Sequence, residues 1–126
     1  MVVSDDKGGK TTTVVNVNVS DQNTRSVFIN FAPVGFAAPS PWNNMLGYGG
    51  AGNSLTNLLD ENGTNTSYSL TLVNKWGGLI NNGQITSDNS GTYPDQVLHY
   101  GWWDGETEAR QIRFNNLNNI RYIISL

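Results

Sequence analysis

The chain has no cysteine. That excludes a disulfide framework, thiolate zinc sites and thiol catalysis. Charge is scarce too: 13% of residues are charged, about half the usual ~25%. His99 is the single histidine, and with no thiolates beside it a zinc site is not expected. No apolar run approaches the roughly 20 residues of a membrane span, so membrane insertion is not expected. The opening "MVVSDDKGGK" has no hydrophobic region of the signal-peptide kind. Sustained 3.6-residue periodicity is also missing. The net charge is -3 with a pI near 4.8, and only Arg110, Arg113 and Arg121 stand close together. Nucleic acid, which asks for a clustered basic surface, is therefore not an expected partner.

What fills the space is neutral and polar. Asparagine occupies 18 of the 126 positions and glycine 14, alongside many serines and threonines. These residues are poor helix formers and good turn formers. Together with the length, they indicate one ordinary all-β domain, or one domain plus part of a neighbour.

The first twenty residues read as a hairpin. "DDKGGK" supplies turn chemistry, and "TTTVVNVNVS" alternates, with Val15, Val17 and Val19 on one face. "SDQNTR" breaks that pattern, which sets a boundary near residues 20 to 25. From there strand signals recur in "SVFINF", "SYSLTLVNKW", "QVLHYGWW", "EARQIRF" and "RYIISL". Residues 32–54 and 77–95 read as two long loops, of the length that often carries function. "LTNLLDENG" fits a short strand or one helical turn. Many short strands with polar turns predict a β-sandwich. The last strand, "RYIISL", has no closing turn after it, so further sequence is expected beyond Leu126.

Residues 2–19 resemble the last hairpin of polycystic-kidney-disease-type (PKD) immunoglobulin-like domains, which carry a D-x-x-G turn followed by alternating Thr and Val. The order "VFINFAP…PWNNM…LTNLLDENG…VNKWGG…YPDQVLHYGWW…ARQIRFNNLNNIRYIISL" resembles a module of large secreted proteins of Bacteroidota-type bacteria, similar to galactose-binding-like jelly rolls. The resemblances imply residues 1–20 as terminal strands of an Ig-like domain, 21–25 as a linker, and 26–126 as a β-sandwich module lacking its final strands. They also imply an exported, secreted or cell-surface parent whose signal lies upstream.

Catalytic patterns are weak. His99 would have to serve any Ser-His-Asp triad, but no G-x-S-x-G elbow is present. Asp95, Asp104, Glu106 and Glu108 could supply a carboxylate pair, yet "DGETE" reads more simply as a solvated turn. The acids of "DD", "DEN" and "SDN" offer oxygens of the kind calcium takes, without the spacing of a calcium loop. No enzyme activity, cofactor or metal is expected. Three glycosylation sequons, "NVS", "NGT" and "NTS", are what this composition yields by chance.

The tryptophans carry most of the information. In a strand, neighbouring side chains point to opposite faces, so Trp102 and Trp103 cannot enter one core together. Trp102 shares its parity with Leu98 and Tyr100 and is assigned inward; Trp103 is the outward candidate. An exposed indole beside polar side chains suits a sugar, which presents C–H faces ringed by hydroxyls. "PWNNM", "NKWGG" and "WWDG" therefore nominate Trp42, Asn43, Asn44, Trp76, Trp103, Asp104 and Arg110 as ligand-binding residues for a polysaccharide or glycan. The competing expectation is a structural or adhesive module of a stalk or fibre, joining copies by strand addition through Thr11 to Val19.

Overall fold

The structure is a computed structural model and describes residues 2–4, 10–12, 25–105 and 109–117. Its regular structure is nearly all strand. The order is β1 (Val2–Ser4), β2 (Lys10–Thr12), β3 (Ile29–Ala32), β4 (Asn43–Leu46), β5 (Ser54–Leu55), β6 (Ser69–Leu72) and β7 (Gly78–Ile80). A single turn of helix, α1 (Asp95–His99), then precedes β8 (Gly101–Trp103) and β9 (Ile112–Asn115). The all-β class expected from composition holds.

The alternation in "SYSLTLV" makes β6 the middle of an antiparallel sheet, β5-β6-β9. Leu70 and Leu72 face inward and are fully buried. Leu55 and Phe114 lie opposite Leu70, and Ile112 opposite Leu72. On the other face Asn115 donates to the Ser69 hydroxyl at 3.2 Å. Ile29 and Phe31 of β3, Met45 of β4, and Leu58 complete one core with this sheet. Each fully buried Leu in it is worth about 1.5–3 kcal/mol relative to exposure.

β3 and β4 pair in parallel, Ile29 beside Asn43 and Phe31 beside Met45. Parallel neighbours usually need a crossover of about a dozen residues or more, commonly a helix. Here an irregular connection, residues 33–42, suffices because asparagine amides hold it. Asn30, 1% exposed, donates to Asn44 Oδ1 at 2.8 Å, and the Ala38 amide donates to the same oxygen at 2.8 Å. Asn44 Nδ2 donates to the carbonyls of Ala38 (3.0 Å) and Trp42 (3.1 Å). Asn43 imitates a neighbouring strand. It accepts from the Leu59 amide at 2.8 Å, donates to the Leu59 carbonyl at 2.9 Å, and reaches the Phe28 carbonyl at 3.0 Å.

Three expectations need correction. Residues 32–54 are not loop throughout: they contain β4 and the start of β5. "NNML" hides its strand because asparagines, not apolar residues, do much of its pairing. "QVLHYGWW" is not one strand. Asp95–His99 forms a helical turn, with the Val97 and Leu98 amides donating to the Pro94 carbonyl. A short apolar run does not separate helix from strand, and Pro94 pre-sets the φ of a turn start. Nor is "GGLI" loop, since Gly78–Ile80 pairs with β8. At the N-terminus, Val2–Ser4 pairs antiparallel with Lys10–Thr12, as the hairpin reading expects. Its turn, residues 13–24 with most of the linker, and "RYIISL" lie outside the described residues.

The segment 81–94 is tied to α1. Asp95 accepts from the Thr86 hydroxyl (2.6 Å) and from the amides of Thr86 and Ser87 (both 3.0 Å). The Asp95 amide donates to Asn89 Oδ1 at 2.9 Å. His99 Nδ1 lies 3.0 Å from the Gly83 carbonyl, and the Gly83 amide donates to the His99 carbonyl at 3.1 Å. Hydrogen bonds, from the Thr86 hydroxyl first and then the Thr86 and Ser87 amides, hold the Asp95 carboxyl below the ordinary aspartate value. Ser90 does the same for Asp88.

Two outcomes follow. Asn44→Ala strands the Asn30 amide and the Ala38 and Trp42 backbone groups, so it should cost about 2–3 kcal/mol. Urea unfolding should report a lower midpoint at unchanged slope, against no shift for the exposed Asn81→Ala. Because folding lowers the Asp95 pKa, its anchor is fully present above the ordinary aspartate value and is lost as pH falls through the depressed one. Amide exchange at Thr86 and Ser87 should accelerate only in that acid window, and Asp95→Asn should remove the dependence.

Candidate functional site

The two adjacent indoles on β8 separate as strand geometry requires. Trp102 packs inward, its ring 4.6 Å from Phe31 and 5.9 Å from Trp76, and its Nε1 donates to the Gly47 carbonyl at 3.0 Å. Trp103 points the other way and is 48% exposed. Its seat is made of glycine. Gly78 lies directly across the ribbon, and a Cβ there would run into the Trp103 pyrrole edge; a Cβ on Gly105 would run into its benzo edge. An aromatic ring over a cross-strand glycine covers backbone that would otherwise be bare. Beside it, Arg110 Nε donates to Asp104 Oδ1 at 2.8 Å.

A groove of about 280 Å³ adjoins this ring, lined by Tyr48, Gly49, Gly50, Lys75, Trp76 and Gly77. Its lining comes from two segments, Tyr48-Gly49-Gly50 and Lys75-Trp76-Gly77. The Trp76 amide donates to the Gly49 carbonyl at 2.7 Å, and the Gly77 amide donates to the Trp103 carbonyl at 3.0 Å. Gly49 is buried so closely that a Cβ would lie 3.0 Å from both the Trp102 ring and the Trp76 side chain. Tyr48 stands 76% exposed at the rim. Trp103 Cε3 lies 3.4 Å from where a Cβ on Gly77 would sit, which places the indole at the groove's edge. Asn74 Oδ1 and Trp76 Nε1, on either side of Lys75, are buried and make no hydrogen bond among the described residues.

No family model, curated protein or solved structure matches this chain. What its residues can do must therefore come from their own geometry.

The structure brings Trp103, Asp104 and Arg110 together, with Trp76 one backbone link away through Gly77. It does not bring Trp42 into the group. That ring packs between Phe28 (5.2 Å) and Tyr93 (5.7 Å) in a cluster of its own. The amides of Asn43 and Asn44 are spent on backbone partners around β3 and β4. His99 is engaged with Gly83 and stands edge-on to Tyr100. Asp95 is consumed by Thr86 and Ser87, while Glu106 and Glu108 lie outside the described residues. Among the described residues no three His, Asp or Glu side chains gather as a metal group would. The "DENG" acids serve their own turn: Asp60 Oδ1 accepts from the amides of Asn62 and Thr64.

Sequence reasoning missed Tyr48 and Lys75. The signal was there, since aromatic-Gly-Gly occurs as "YGG" and as "WGG" and both segments contribute to the groove lining. Chemically the surface offers a flat indole, a phenol, an ammonium group and an Asp–Arg pair.

Gly78→Val should displace the Trp103 ring, at a cost of about 1–3 kcal/mol for the crowded site. In protein labelled with 5-fluorotryptophan, the ¹⁹F resonance absent from Trp103→Phe should shift, and that of Trp42 should stay. An unmoved Trp103 resonance would show that glycine is not what seats the indole.

Proposed function

We propose that this chain is a non-catalytic, carbohydrate-binding module of an exported multi-domain bacterial protein. Its strands form a β-sandwich of the jelly-roll or a related type, preceded by the closing hairpin of a PKD-like domain. One observation carries the reading: Trp103 stays nearly half exposed at the edge of a groove, seated against Gly78 and Gly105 with no room for a side chain at either. A sugar ring laid on the indole buries its C–H face there. Asp104 and Arg110 then offer an acceptor and donors to the hydroxyls around that face.

The alternative, a fibre subunit that adds strands between copies, draws on the open edges of the two-stranded sheets. Part of the strand it would use, Lys10–Thr12, is already paired with Val2–Ser4. The platform reading is therefore preferred.

Affinity electrophoresis of the folded protein in gels containing different polysaccharides tests it. Trp103→Ala should weaken retention by at least about tenfold, the loss of most of one aromatic contact, with an unchanged circular dichroism spectrum. Trp42→Phe should leave retention as it was. Absence of retention on every polysaccharide, or retention indifferent to Trp103, removes the reading.

A further inference from the structure

The charge pattern around the groove narrows the ligand. The chain as a whole is acidic, at -3, but the described acids are largely engaged close to home. Asp60 bonds its own turn, Asp88 and Asp95 bond loop amides, and Asp104 pairs with Arg110. No carboxylate of the described residues lines the groove. Its lining holds one charged group, the Lys75 ammonium. Arg25 approaches Asp60 at 3.9 Å and Arg110 holds Asp104 at 2.8 Å, whereas Lys75 makes no ion pair among the described residues. Lys75 is exposed, between the two residues whose buried polar atoms lack a protein partner. An ammonium with no ion pair among the described residues, in a groove also lined by Tyr48 and Trp76, is complementary to a flat ligand carrying a negative group.

We propose that the groove takes an acidic sugar unit, its anionic substituent on Lys75 and its ring between Tyr48, Trp76 and the Trp103 platform. This rests on the carbohydrate reading and adds the charge of the ligand to it. The attraction acts across a half-open groove, so it sets preference more than total affinity, and added salt weakens it.

The test compares polygalacturonate with its fully methyl-esterified form, and dextran sulfate with dextran, on the full chain at low and high salt. Retention should be about five- to tenfold stronger for the charged member of at least one pair, and the gap should close in high salt. Lys75→Gln should abolish the preference and Lys75→Arg preserve it, while Arg113→Gln, on the outer face of β9, should leave it intact. Which pair responds tells carboxylate from sulfate. A preference that survives Lys75→Gln, or falls equally with Arg113→Gln, overturns the inference. Equal, Trp103-dependent binding of charged and neutral partners also overturns it but leaves the platform reading standing. If the folded protein binds none of the four, both fall together.

Discussion

Much of this structure depends on carboxamide groups doing the work of backbone. Asn44 ties β3, β4 and the connection between them through four hydrogen bonds. Asn43 presents to Leu59 the donor and acceptor that another strand would present. With the parallel pair fixed, Phe31 and Met45 reach the core. The chain leaving β4 then runs through Gly47, whose amide donates to the Ala32 carbonyl and whose carbonyl receives the Trp102 indole. The position of Tyr48 and Gly49, and so one wall of the groove, follows from that chain of bonds.

The second wall depends on how the tryptophans share their tasks. Trp102 is amphipathic and satisfied: its ring fills space beside Phe31 and Trp76, and its N–H has a carbonyl. Such pairing lets a large ring enter a core without stranding a polar atom. Trp103 covers backbone that Gly78 and Gly105 leave open. Ring and glycine are thus one device. Side chains at 78 and 105 would force the indole away from the ribbon and from the groove beside it.

The sequence was legible where burial follows a simple period. β6 and β9 show period-two alternation, and the opposite facing of Trp102 and Trp103 follows from strand parity. Which of them turns inward is drawn from Leu98 and Tyr100, and Leu98 lies in the helical turn and not in the strand. It was opaque where pairing is carried by side-chain amides. Asn43 and Asn44 look like exposed sugar partners beside Trp42, yet both are absorbed into the scaffold, and nothing in "PWNNM" separates the two uses. The helical turn at Asp95–His99 was hidden for another reason: five residues are too few to display a period. Composition was a sound guide to the turns. Asn57, Asn89 and Asn116 all take positive φ, a conformation asparagine tolerates better than most residues.

A framework jointed by carboxamides also ages in a particular way. Asparagine is among the thermolabile residues, because its side chain can lose ammonia and become a carboxylate. At Asn44 that change would remove both donors to the Ala38 and Trp42 carbonyls and set an anion among those oxygens. The damage would not reverse, and it would strike the joint that positions β4 and not the surface that meets a ligand. Asn44 precedes Met45, whereas the Asn-Gly steps most open to this chemistry, Asn62-Gly63 and Asn82-Gly83, lie outside that joint.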